Sequence, residues 1–128
     1  MFRYAVLLLI ICSVAACGPK KHIASKHPNG KPEVVIYIQG KDQDALKVRE
    51  KVYYENGNMD YIGRFQDGVE HGEWIYYYED GSKKFVEHWN KGEEQGIFYD
   101  YSPSGQILRE LHYEQGELVK TLIEPDIP

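Results

Sequence analysis

The chain has 128 residues, with 15 Lys+Arg against 20 Asp+Glu and a formal net charge of −5. That length suits one small domain, and for an acidic chain whose sequence shows no basic stripe interleaved with aromatics a nucleic-acid partner is not expected. Of the two cysteines, Cys12 lies inside an N-terminal apolar run, so neither a disulfide nor a zinc site is expected.

Met1-Phe2-Arg3-Tyr4 carries one positive charge, Ala5 to Ala16 is apolar, and small residues stand just before Cys17. This is the pattern of a secretory signal, too short for a comfortable membrane span. Val14-Ala15-Ala16-Cys17 resembles the lipobox of bacterial lipoproteins. The resemblance implies a signal peptide over 1–16 and acylation of Cys17, of the palmitate type, as the first mature residue. The mature chain would then be a lipoprotein whose partner is membrane lipid, tethered without spanning; two or more acyl chains make such attachment lasting, at about 0.8 kcal/mol per buried methylene. The plainer alternative is an ordinary signal that leaves Cys17 as an odd free thiol, which is unusual in an exported chain. Gly18 follows where some Gram-negative lipoproteins carry an inner-membrane retention Asp. In a host with two membranes the expected address is therefore the outer one, facing the periplasm.

Residues 17–32 are polar, basic and broken by proline, and they read as the lipidated cysteine plus a flexible linker. Lys20, Lys21, Lys26 and Lys31 could touch anionic head groups from there. The folded domain is expected over 33–123, with a tail at 124–128.

Within that domain the chain repeats itself. Shifted by 24 residues, Gly57 falls on Gly81 and Gly105, Gly68 on Gly92 and Gly116, Gly72 on Gly96, and Phe65 on Trp89 and Tyr113. Tyr53, Tyr77 and Tyr101 share the period. Such spacing marks an array of similar supersecondary units. Inside each unit the alternation is two, as in Met59, Tyr61 and Phe65 against Asp60, Arg64 and Gln66, which is strand patterning. Strands are predicted near 33–38, 48–54, 59–66, 73–78, 83–90, 97–102, 106–114 and 117–123. Glu55-Asn56-Gly57-Asn58, Glu79-Asp80-Gly81-Ser82 and Ser102-Pro103-Ser104-Gly105 put a glycine where a tight hairpin needs φ > 0. The links 67–72 and 91–96 hold two glycines each and are expected to form wider turns on the opposite edge. His27-Pro28-Asn29-Gly30 keeps the turn of a degenerate first unit, and Lys41-Asp42-Gln43-Asp44 looks like an insertion.

Tyr61-x-Gly63-x-Phe65-x-x-Gly68-x-x-His71-Gly72-x-Trp74 resembles a MORN repeat, and the longer unit with its Tyr-x-x-Asn-Gly hairpin resembles the bacterial MORN variant of small exported proteins often labelled YwqK-like antitoxins. The resemblance runs over about residues 27 to 120, with Glu87 in place of Gly63 and Gln95 in place of His71. It implies an all-β fold, an elongated antiparallel β-meander of hairpin repeats, and an interaction role without catalysis.

Aromatic ladders such as Tyr53/Tyr77/Tyr101, Ile75/Ile97 with Tyr99, and Phe65/Trp89/Tyr113 are expected to cover the sheet as core. Trp74, Tyr76 and Tyr78 with Phe98 are expected on the other face as a candidate binding surface, with a structural cap by the first unit or the last strand as the alternative. No Ser-His-Asp setting, phosphate loop or HExxH is present, so an enzyme is not expected. Nor is a cofactor or metal. His71 is read as the repeat's structural histidine, while His88 and His112 occupy equivalent positions that could approach each other. The expected function is a membrane-anchored protein-interaction module of the bacterial cell envelope. Envelope polysaccharide or peptidoglycan binding, through Trp74, Tyr76 and Tyr78, and immunity-like neutralisation of a partner protein are the alternatives.

Replacing Cys17→Ser removes the thiol that would be acylated. The variant should leave the membrane fraction and lose labelled palmitate; equal label in both proteins would refute the lipoprotein reading.

Overall fold

The computed structural model describes residues 18–123; the expected signal peptide, Cys17 and the tail 124–128 lie outside the described residues. The strands are β1 (Lys20–Lys26), β2 (Pro32–Gln39), β3 (Leu46–Tyr53), β4 (Met59–Gln66), β5 (Val69–Glu70), β6 (Gly72–Tyr77), β7 (Lys83–Asn90), β8 (Glu93–Glu94), β9 (Gly96–Tyr101), β10 (Ile107–Glu114) and β11 (Glu117–Ile123). They form one antiparallel sheet in the order β1-β2-β3-β4-β6-β7-β9-β10-β11, with β5 on β4 and β8 on β7. The predicted insertion is a 3-10 turn over Asp42–Asp44.

Because nearest neighbours in sequence are nearest neighbours in space, the whole topology follows from hairpins. At one end of the strands the turns carry Gly30, Gly57, Gly81 and Gly105, with φ of 83°, 92°, 91° and 86°. Each turn is tied within itself: Asn29 Oδ1 accepts from Lys31 N at 2.9 Å, Asn56 Oδ1 from Asn58 N at 2.8 Å and Asp80 Oδ1 from Ser82 N at 2.8 Å. These are Asx turns, which is why Asn or Asp precedes the glycine.

Successive turns are also tied to one another. His27 Nε2 donates to Tyr53 O at 2.7 Å, the Tyr54 hydroxyl to Tyr77 O at 2.7 Å, and the Tyr78 hydroxyl to Tyr101 O at 2.8 Å. Asn29 and Asn56 add bonds to Glu55 O and Glu79 O, each at 3.0 Å. At the opposite end Gly92 N donates to Glu70 O at 2.9 Å and Gly116 N to Glu94 O at 3.0 Å. There the side chains of His71 and Gln95 accept from Lys91 N and Gln115 N at 3.3 and 3.1 Å. Glutamine thus replaces histidine as the same acceptor.

Two expectations need correction. Residues 18–32 are not simply a linker, since β1 pairs with β2 from Lys20↔Ile38 to Lys26↔Pro32. Pro28 sits in the turn, where its lack of an N–H costs nothing, and the His27 and Asn29 bonds fasten that hairpin to the next. The links at 67–72 and 91–96 are not wide turns either. Asp67 and Gly68 have φ of 52° and 82°, and Lys91 and Gly92 have 51° and 85°, the double positive φ of a two-residue type I′ hairpin. The second glycine of each link serves as a kink: β5 and β8 are the first two residues of the returning strands, interrupted before β6 and β9.

The sheet is a single layer, so little is sealed from solvent. Among the described residues the buried apolar side chains are Val35, Trp74 and Val86, at 1%, 7% and 5% exposure.

A prediction follows at the turn glycines. A side chain on Gly81 would meet open space, so only its backbone angle resists substitution. Gly81→Val should cost about 1–3 kcal/mol because a β-branched residue is forced to φ > 0. Ser82→Val, at a position without positive φ, should stay within about 1 kcal/mol. Thermal melts of the two variants check this; equal midpoints would contradict the turn geometry.

Candidate functional site

Residues directly opposite in register project to the same side of a sheet. Gly63 faces Glu50, Trp74 faces Glu87, and Leu111 faces Phe98, while Val52 faces Tyr61, Tyr61 faces Tyr76, and Tyr76 faces Phe85. One face therefore carries nearly all of the ring–ring contacts. Trp74 stacks on Tyr61 with centroids 6.0 Å apart and meets the Phe65 edge at 5.2 Å; Tyr76 bridges Tyr61 at 5.4 Å and Phe85 at 6.2 Å. A second group joins Phe98 to Trp89 at 6.2 Å and to Tyr113 at 4.6 Å. The opposite face is lined by Val35, Ile62, Ile75, Val86 and Ile97, flanked by Tyr37, Tyr99 and Tyr101.

The candidate surface of Trp74, Tyr76, Tyr78 and Phe98 is corrected by this register. Trp74 is core: its indole lies flat on Gly63, where any Cβ would overlap the ring, and its Nε1 donates to Arg64 O at 3.1 Å. Tyr78 lies beyond the end of β6 and serves as the turn-to-turn hydroxyl donor. Tyr76 and Phe98 are half-buried, in separate ring clusters. The four do not form one exposed platform. Trp74, Tyr76 and Phe98 share a face with Phe65, Phe85 and Trp89 instead of opposing them, because pairing aligns Tyr76 with both Tyr61 and Phe85. The glycine at 63 makes the flat tryptophan possible; one repeat later Glu87 fills that space, a phenylalanine replaces the tryptophan, and Glu87 accepts from Trp89 Nε1 at 3.1 Å.

Two ion pairs lie on the aromatic face. Lys47 Nζ lies 2.8 Å from Glu50 and 4.1 Å from the Phe65 centroid, and the Tyr61 hydroxyl donates to Glu50 at 2.6 Å. Burial alone would raise the Glu50 carboxyl, but the Lys47 and Tyr61 hydrogen bonds and the Lys47 charge outweigh it and hold Glu50 below its usual value. Burial, then the Glu87 charge, pushes the Tyr76 phenol up to about 12. Arg109 and Asp100 pair at 2.7 Å beside a cleft of about 160 Å³ lined by Phe85, Phe98 and Leu111.

The histidines are placed for structure. His88 Nδ1 donates to Ile97 O at 2.7 Å, and its Nε2 faces Glu73 at 3.5 Å. His112 lies 3.9 Å from Glu114, and His71 accepts a turn N–H. Among the described residues no three His, Cys, Asp or Glu side chains converge as metal ligands.

What chain-order reading did not single out is the last strand. β11 closes the sheet at its C-terminal edge. Leu118 and Val119 are each 51% exposed, Leu122 and Ile123 each 39%, and Ile107 on β10 is 41% exposed. The signal was present as two adjacent apolar pairs, Leu118-Val119 and Leu122-Ile123, which put apolar groups on both sides of one strand. The β1 edge carries Lys20, Lys21 and Lys26 instead. Lysine is a common way to blunt an open edge.

A one-layer array of glycine-turn hairpins with ring clusters on one face defines a β-repeat protein. The model of the MORN repeat variant matches residues 48–67, 70–91 and 94–115, half of the chain, and the chain belongs to that family. The β1–β2 hairpin falls outside the matched residues yet pairs in the same sheet. A search of curated proteins finds no match.

Trp74→Ala should destabilise the domain by about 3–5 kcal/mol, the cost of emptying a buried aromatic site. His71→Gln should be nearly neutral, since Gln95 already fills that role. Chemical denaturation of both variants checks the contrast; a stable Trp74→Ala protein would return that residue to the list of surface contacts.

Proposed function

We propose that this chain is a lipid-tethered protein-interaction module of the bacterial cell envelope, held by Cys17 and presenting its MORN repeats to an extended segment of a partner protein. The observation that carries the binding part is the outer edge of β11, unpaired among the described residues, with exposed Leu118, Val119, Leu122 and Ile123 on its two sides. Strand addition suits such an edge: main-chain hydrogen bonds supply affinity, and the alternating apolar side chains supply selectivity. Glu114 and Glu117 at the β10–β11 turn favour a partner segment that is basic as well as apolar. Membership in the MORN repeat variant family supports an interaction role, and the lipobox-like Val14-Ala15-Ala16-Cys17 supports the address.

The immunity-like alternative is the same contact with a toxic partner. A polysaccharide platform loses its carrier, because Trp74 and Tyr78 are engaged within the fold.

The test is cross-linking of the tagged full chain in its own envelope, comparing wild type with Leu118→Lys/Leu122→Lys. Both side chains are exposed, so the double variant should keep its circular dichroism spectrum and melting temperature. Recovery of the wild-type partner should fall by at least about tenfold, the loss of roughly 1.4 kcal/mol or more at the contact. Ile23→Lys, on the opposite edge, should change nothing. An unaltered partner set in the double variant would overturn this surface.

A further inference from the structure

On the face opposite the aromatic clusters, the first four strands bring cations into one row. The register runs Lys21↔Tyr37, Tyr37↔Arg49 and Arg49↔Arg64 across β1, β2, β3 and β4. Lys51 stands two residues along β3 on the same side, opposite Ile62. Arg49 and Arg64 are direct cross-strand partners, which places their Cβ atoms about 4.5–5.5 Å apart. Like charges at that spacing oppose folding.

The fold does not offset that repulsion. The ion pairs of the described residues are Lys47–Glu50, His88–Glu73, Arg109–Asp100 and His112–Glu114, so Lys21, Arg49, Lys51 and Arg64 have no carboxylate within salt-bridge distance among them. Of the nearby carboxylates, Glu33 accepts from Ser25 Oγ at 2.9 Å and Glu73 lies 3.5 Å from His88, while Asp44 and Asp67 line a cleft with Arg64 without forming an ion pair with it. Instead of an acid, Tyr37 lies between the cations, with the Arg49 guanidinium 5.2 Å and the Lys51 ammonium 5.7 Å from its ring centroid. Stacking on an aromatic face orders a guanidinium while leaving its N–H donors free. Beside this row opens a cleft of about 290 Å³, lined by Lys21, Lys31, Pro32, Val35, Tyr53 and Gly57. Lys21 belongs to both the row and the cleft.

The geometry points to a phosphate-ester site on this face. Two arginines directly opposite in register can turn both guanidinium forks to one oxyanion with several charged oxygens, where a single carboxylate would need only one. The phosphate would sit between Arg49 and Arg64 with Lys21 and Lys51 beside it, and the organic body of the ester would enter the cleft against Val35, Pro32 and the Tyr53 ring. The site is separate from the β11 edge and independent of how that edge is used.

Calorimetric titration of the full chain at constant ionic strength tests it, with inorganic phosphate and phenyl phosphate as probes. Wild type should bind both, phenyl phosphate the more tightly, and Arg64→Gln should weaken each by at least about tenfold. Arg64→Glu should abolish binding and, in phosphate-free buffer, raise the melting temperature, because it turns a repulsive pair with Arg49 into an attractive one. A merely structural arginine would not show that opposition. Absence of binding by wild type, or an equal loss from Lys120→Gln at the far edge, overturns the site. Phosphatidylglycerol vesicles then identify the source: Arg64-dependent vesicle binding assigns the phosphate to a lipid head group, and binding of the soluble probes alone assigns it to a soluble ester.

Discussion

Each hairpin of this protein must be held by its neighbours along one direction only, since the described residues form a single layer with no second one to pack against. The attachment is made at both ends of the strands by side chains that reach one repeat onward to a backbone group. Tyr54 and Tyr78 do this with hydroxyls toward Tyr77 O and Tyr101 O, and His71 and Gln95 do it by accepting from the next turn's N–H. The 24-residue period is the sequence image of this mechanical coupling. A repeat array is stabilised by such nearest-neighbour terms more than by a central core. Three buried apolar side chains among the described residues are consistent with that.

The same constraint explains the aromatic composition. A strand with one exposed and one half-covered side cannot bury small aliphatics deeply, but large rings lying along the sheet cover one another and the backbone beneath. Trp74 over Gly63 is the extreme case, with the ring occupying the volume a side chain would otherwise claim. Where the glycine is absent, at Glu87, the ring cluster breaks into two groups with a carboxylate between them. The rings therefore act mainly as mortar. The surfaces left for contact are the edges and the less aromatic face.

Those surfaces differ along the sheet. The N-terminal strands gather cations around Tyr37 that have no ion pair among the described residues, and the C-terminal strand gathers exposed Leu, Val and Ile beside an acidic turn. Neither feature repeats every 24 residues, so neither is demanded by the array. Departures from a repeat are where a repeat protein carries individuality, because each unit can vary its outward positions while keeping the turn glycines and staples.

The period, the turn glycines and the two-residue alternation were enough to determine the strand order and most strand limits, because hairpin turns act locally: Asn56-Gly57 and Asp80-Gly81 bend the chain through their own φ angles and Asx bonds. The resemblance to the MORN repeat, and not the period, marked His71 as a structural histidine, and it accepts a turn N–H. What the chain could not reveal by itself was which side of the sheet each alternating residue takes relative to the next strand. That depends on bulges and kinks, such as the register shift between Tyr76 and Tyr77 and the break at Gly72, and a shift of one residue exchanges faces. Only the assembled sheet decided that Trp74 and Tyr76 join Tyr61 and Phe85, that β1 is a strand, and that Arg49 lies opposite Arg64, because cross-strand neighbours are set by register and not by proximity in sequence.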